Sequence, residues 1–205
     1  MVTSRRTTQY LRELIGQKSK FERSPQEPCL PPESAQLLKL LARILQPERI
    51  LEIGTNIGSS GIELLKAAPE ARLYTIEMDE LKAQTARRNF AAAGMADRAE
   101  IYLGRAEDIL PYITGSYQII LLDGPKGQYA SFASMLLPVL ARGGLLICDN
   151  VLFRGMLSGD RRGRPRKRTL VKKLDMFLRD LSADSRLMTS ILPIGDGISV
   201  SLKLE

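Results

Sequence analysis

The chain contains no histidine and no tryptophan. A general base must therefore be Asp, Glu, Lys, Tyr or a metal-bound group. The two cysteines, Cys29 and Cys148, provide neither a disulfide framework nor a zinc-ligand spacing. Aromatic residues make up only 5% of the chain. No apolar run approaches the roughly 20 residues of a membrane span. The N-terminal stretch has an arginine pair with no apolar segment behind it, so no export signal is read. These absences predict a cytoplasmic protein without a membrane partner. What is present is ordinary for a globular domain: 205 residues, 44% apolar and 26% charged.

Short apolar runs alternate with helical patterns, which predicts an α/β fold with a parallel sheet covered on both faces. Strands are expected at 49–53, 72–77, 99–103, 117–123 and 143–149, with helical segments at 59–68, 79–94, 106–113 and 129–143. Gly94 and Gly143 stand where helix C-terminal caps are expected. Two helices, around 5–17 and 33–45, make residues 1–46 an N-terminal helical part of one domain spanning 1–205. Further on, Leu170, Val171, Leu174, Phe177, Leu178 and Leu181 form one helical stripe. The C-terminal segment reads as two strands joined by a turn at "GDG".

The stretch "LEIGTNIGSSG" (51–61) follows a strand and opens a helix. Gly54 permits a tight turn, and Gly58 lets the backbone approach a ligand. Glu77, ending the next strand, can accept hydrogen bonds from both ribose hydroxyls. Together they point to an adenosine-containing cofactor. Glu52 directly before the loop would repel a pyrophosphate but suit the amino group of S-adenosylmethionine (SAM), which favours SAM over NAD. A Glu that merely pairs locally is the alternative.

Asp123 and the pair Asp149-Asn150 end adjacent predicted strands, on the side where open parallel sheets bind ligands. Two carboxylates and an amide oxygen make a hard-oxygen set suited to Mg²⁺, with Mn²⁺ also fitting. The alternative is a turn at 149–150 and a helix cap at Asp123. Lys126, three residues after Asp123, is either a proton acceptor in the same pocket or a surface lysine.

In this order, "LEIGTNIGSSG", Glu77, "GRAED" (104–108), "LLDGPKGQY" (121–129) and "DNVLFRG" resemble the metal-dependent O-methyltransferases of the catechol and caffeoyl-CoA class. The resemblance implies a Rossmann-like class I methyltransferase: a seven-stranded, mostly parallel sheet with an antiparallel last strand, helices on both faces, and a homodimer. By the same resemblance Asp123, Asp149 and Asn150 hold the metal, with Asp123 also touching the cofactor, and Lys126 is the catalytic base. Glu77 takes the ribose, Glu52 and Ser60 the methionine part of SAM, Arg105 and Ala106 the adenine edge, and Leu30 a flap. Gly54 and Gly58 belong to the cofactor loop, where Asn56 replaces the middle glycine of a three-glycine form.

From Arg161 to Lys173, eight of thirteen residues are Arg or Lys. That exceeds the chain's net +7, so the remainder is close to neutral. "DNVLFRGML", this basic run, "TLVKKLDMFLRDL" and "ILPIGDGISVSLK" look like the bacterial tRNA 5-hydroxyuridine methyltransferase branch. The branch implies methylation of the wobble 5-hydroxyuridine of an anticodon loop to 5-methoxyuridine. A basic loop at 159–168 is then a tRNA-binding rim built of Arg154, Arg161, Arg162, Arg164, Arg166, Lys167 and Arg168. Tyr129 and Phe153 are available to stack on bases, unless they are core. Three rival readings remain: methylation of a small catechol-like or coenzyme A-linked phenolic acceptor, a tRNA-binding module with a vestigial cofactor site, and a solvated basic loop without RNA.

Overall fold

A computed structural model describes residues 30–152 and 165–205, and of residues 165–168 the backbone alone. The predicted helix around 5–17, Arg154, Phe153 and residues 159–164 lie outside the described residues.

Helix α1 (Pro32–Leu45) leads into β1 (Arg49–Ile53), followed by α2 (Ser59–Ala67), β2 (Arg72–Glu77), α3 (Glu80–Ala92) and β3 (Ala99–Leu103). A short α4 (Ala106–Ile109) precedes β4 (Tyr117–Leu122) and α5 (Tyr129–Leu136). The chain closes with β5 (Leu140–Asp149), α6 (Pro165–Ala183), β6 (Leu187–Leu192) and β7 (Ile198–Lys203). Local chemistry starts these helices where the sequence says it should. Pro32 stands in the first turn of α1, where its missing N–H costs nothing. Asp79 caps α3 by accepting from the Leu81 and Lys82 amides at 2.9 and 3.1 Å.

The seven strands form one sheet in the order β3-β2-β1-β4-β5-β7-β6. All are parallel except β7, which pairs antiparallel with both β5 and β6. A short hairpin connection forces that reversal, because only a long crossover can join parallel neighbours. Period-2 alternation buries both faces of the sheet. Leu51 and Ile53 of β1, with Ile120 and Leu122 of β4, face a core shared with Phe132 of α5 and Phe177 of α6. Ile50, Ile119 and Leu121 face the other way, toward Leu38 of α1 and Ile62 and Leu65 of α2. The helical stripe in α6 is real: Leu174, Phe177, Leu178 and Leu181 are buried. Each such side chain contributes roughly 1.5–3 kcal/mol by leaving water.

Two boundaries differ from the sequence reading. Helix α5 stops at Leu136, and β5 already begins at Leu140, so Gly143 is not a helix cap. Pro138 cannot continue the helix hydrogen bonding. Gly143 and Gly144 instead form an irregularity in β5, opposite the register shift between Tyr117 and Ile119. Gly143 has φ +72°, and a Cβ on Gly144 would lie 2.8 Å from the Ala141 carbonyl oxygen. The second difference concerns the basic stretch. Pro165 opens α6, so residues 165–168 belong to its first turn rather than to a loop. Among the described residues, no helix is long and apolar enough to cross a membrane.

Candidate active site

Between β1 and β4 the strand order reverses direction, and the loops leaving their carboxyl ends part to leave a crevice. A cavity of about 510 Å³ fills it, within the usual range for a small-molecule site. Gly54 stands at its floor with φ +99°. A Cβ there would come 2.3 Å from the Asp123 carbonyl oxygen, so the tight turn and the approach of β4 both require glycine.

One end of the cavity is built around Glu77. Its carboxylate is buried and accepts from the Asn56 N–H at 2.7 Å and the Asp79 N–H at 2.9 Å. Asn56 takes φ +48° to aim that amide. The departure from a three-glycine loop is thus used: Asn tolerates the left-handed region better than most residues, and its backbone fixes the carboxylate. Leu30, Ala106 and Met78 also line the cavity.

At the other end Asp123, Lys126, Asp149 and Asn150 converge. Lys126 Nζ donates to Asp123 Oδ1 at 2.7 Å, and Asn150 Nδ2 donates to the same oxygen at 3.2 Å. Asp149 is 5% exposed and accepts from the Asn150 N–H at 2.7 Å. Burial, and next the charge of Asp123, raise its carboxyl to about 6. Two adjacent carboxylates balanced by one ammonium leave net negative charge facing the cavity. Among the described residues no three His, Cys, Asp or Glu side chains group together as a metal cluster. The candidate donor set is instead two carboxylates and an amide, whose side chain can present either oxygen or nitrogen. Hard oxygens with unbalanced negative charge fit a divalent cation such as Mg²⁺.

Four of the predicted cofactor residues do not line the cavity. Glu52 is wholly buried beneath its floor; it accepts from Thr75 Oγ1 at 2.6 Å and from Ser60 Oγ. Ser60 is half-buried beside it. Gly58 approaches the ring of Phe90 rather than the cavity; a Cβ there would lie 3.2 Å from it. Arg105 is exposed and paired with Glu107 through Nε at 2.8 Å. Of the two readings of Tyr129, a ring available to bases or a core residue, the second holds: it is 1% exposed and packs edge-on against Phe177 at 5.6 Å between centroids, because α5 turns it into the core.

Asp196 was missed. It lines the cavity beside Asp149 and Asn150, although "GDG" read only as a turn. The signal lay in the antiparallel last strand. Because β7 starts at Ile198 opposite Asp149, the turn before it must stand at the carboxyl end of β5.

Burial pushes the Glu52 carboxyl up from 4.5 to about 7, against the hydrogen bonds from Ser60 and Thr75. An acid with a raised folded value costs nothing below about 4.5, loses stability as pH climbs toward 7, and bears the full cost above it. Glu52→Gln keeps the shape and removes that cost. In urea unfolding of the cofactor-free protein, the variant is expected to match wild type at pH 4 and to exceed it at pH 8, by up to about 3 kcal/mol. A variant less stable than wild type at pH 8 would mean that the hydrogen bonds to an ionised Glu52 outweigh its burial.

Similar proteins carry the same fold. An O-methyltransferase of tomaymycin synthesis from Streptomyces achromogenes, solved in complex with SAM, superposes with a TM-score of 0.77 at 30% identity, over 88% of this chain and 83% of that one. A putative caffeoyl-CoA O-methyltransferase from Staphylococcus aureus gives 0.77 at 29% identity, over 96% of this chain and 92% of that one. A protein named catechol O-methyltransferase from Niastella koreensis is 33% identical over 139 residues, 65% of this chain. One of the same name from Mycobacterium tuberculosis is 35% identical over 125 residues, 60% of this chain. The matches span 63% and 57% of those two relatives' own lengths. A family model described as O-methyltransferase matches residues 1–204, all but the final residue, and the chain therefore belongs to the O-methyltransferase family.

Proposed function

We propose that the protein transfers a methyl group from SAM to a hydroxyl that has a second oxygen beside it, and that its acceptor is 5-hydroxyuridine in the anticodon loop of tRNA. The observation that carries the reading is one cavity with Glu77 at one end and Asp123, Lys126, Asp149 and Asn150 at the other. Glu77, held by two backbone amides, suits the ribose hydroxyls of SAM, which supplies the methyl group as an electrophile. Asp123, Asp149 and Asn150 would hold a divalent cation, which lowers the pKa of an acceptor hydroxyl and stabilises its anion. Lys126 Nζ, beside Asp123, is the group proposed to receive the hydroxyl proton. A single cavity lined by both sets of residues would hold cofactor and acceptor side by side, so that the two reactants meet without a search.

The choice of RNA is supported by the position of the basic run. Helix α6 begins within it, and Leu170, just past the first turn, lies against Gly127, next to Lys126: a Cβ on Gly127 would be 3.8 Å from the Leu170 side chain. A polyanion held along that turn has its phosphates at the rim and one splayed base within reach of the cavity. A second reading, a small catechol, is favoured by the relatives named catechol O-methyltransferase. Both acceptors carry vicinal oxygens, so the cavity chemistry serves either.

Labelled SAM offered with Mg²⁺ to tRNA rich in 5-hydroxyuridine, and in parallel to free catechol, separates them. Label in the tRNA that disappears with EDTA is the expected result. Label in catechol alone overturns the RNA assignment, and label in neither overturns both.

A further inference from the structure

The β4–β5 ladder ends at the pair Leu122↔Cys148, one residue short of the two carboxylates. Beyond that pair another group must hold the strand ends together. The Tyr129 hydroxyl lies 3.0 Å from the Leu122 carbonyl oxygen and 2.9 Å from that of Asp149, and it is placed to donate to either. With one proton to give, it shares or alternates the hydrogen bond between them. We infer that Tyr129 is a positioning residue that sets the spacing of Asp123 and Asp149, and through it the affinity of the site for a divalent cation. The inference rests on the metal reading under Proposed function.

The other partners of these residues leave that task open. Asp123 is tied to β1 by its N–H, which donates to the Ile53 carbonyl at 2.9 Å, and Asp149 is paired to β7 through Ile198. Neither bond spans the gap between β4 and β5; the Asn150 Nδ2 bond to Asp123 Oδ1 at 3.2 Å does, but through the side chains proposed to turn to the cation, which leaves Tyr129 as the link between the two backbones. The Tyr129 ring cannot drift, because it is buried edge-on against Phe177. Lys126 Nζ lies 5.5 Å from the ring centroid, so the ring also supports the ammonium that pairs with Asp123. Tyr129→Phe keeps the ring and its packing but leaves two buried carbonyls facing each other with no proton between them. Their mutual repulsion opens the strand ends and spreads the carboxylates.

The test reads metal binding rather than turnover. Free Mn²⁺ is followed by electron paramagnetic resonance during titration of wild type, Tyr129→Phe and Phe132→Leu, with SAM affinity measured on each. Phe132 is equally buried in the same helix but has no polar group near the carboxylates, so its variant reports general loosening. Tyr129→Phe is expected to weaken Mn²⁺ binding about 10-fold or more and to leave SAM affinity unchanged, with Phe132→Leu close to wild type for Mn²⁺. Wild-type Mn²⁺ affinity in Tyr129→Phe overturns the inference while leaving the metal reading in place. An equal loss in Phe132→Leu also overturns it, since the effect would then be one of core packing. Failure of wild type to bind Mn²⁺ removes the metal reading itself, and the inference with it.

Discussion

Asp149→Ala is expected to lower methyl transfer by about 10³-fold or more while SAM still binds. The side chain is buried at the end of β5, with its neighbour Asp123 the only other carboxylate in the proposed donor set. Removing it leaves one carboxylate and an amide, and Lys126 already occupies one oxygen of that carboxylate. A cation held by so little would be lost, and the acceptor hydroxyl would have to react without charge compensation. Glu77 stands at the opposite end of the cavity on β2 and is held by amides that do not involve Asp149, so cofactor affinity should persist. Calorimetric titration of SAM against the variant, beside single-turnover methyl transfer, separates the two effects. Transfer at the wild-type rate would take the carboxylate pair out of the chemistry. Loss of SAM binding together with transfer would make Asp149 part of the cofactor site instead.

The second large effect concerns the acceptor. Replacing Arg161, Arg162, Arg164, Arg166, Lys167 and Arg168 together with Gln is expected to weaken tRNA binding by about 10²–10³-fold near physiological salt. The slope of log affinity against log salt should flatten by roughly 0.7 to 0.9 for each phosphate that is no longer neutralised. The replaced charges nearly cancel the whole net charge of the protein, so the long-range field that draws a polyanion disappears with them. SAM affinity should not move, because Glu77 and the amides that hold its carboxylate are left unchanged. Filter binding of tRNA from 50 to 200 mM salt reads both quantities. Unchanged affinity and slope would reduce the segment to a solvated cover and favour the small-acceptor reading.

Much of the site was legible because its residues sit at strand ends. Alternation located the strands, the strands located their carboxyl ends, and Asp123, Asp149 and Asn150 followed from position, whereas Lys126 stayed open between pocket and surface until the family resemblance assigned it. The family followed from the same motifs, and the match over residues 1–204 bears it out. Glu52 shows where such reasoning stops. Its place beside the glycine loop put it next to the cofactor, but strand alternation turns it toward α2, under the floor and against Thr75, its partner in the β1–β2 register. The residue is adjacent in sequence yet faces the wrong way to line the cavity. Gly143 failed for a related reason: a glycine after an apolar run reads the same as a helix cap or a strand irregularity until the pairing partner is known.

Local patterning by itself determined the element types, the two-faced burial of the sheet and the chemistry offered at each strand end. Those follow from periods of two and 3.6 residues and from the side chains themselves, which need no distant partner. The tertiary structure alone decided which ends meet. The crossover between β1 and β4 opened the cavity, and the reversed β7 carried Asp196 to its rim. Helix α5 folded Tyr129 back between two carbonyls that lie 27 residues apart in the chain. Such meetings depend on how long connections close, and no short window of sequence contains both partners.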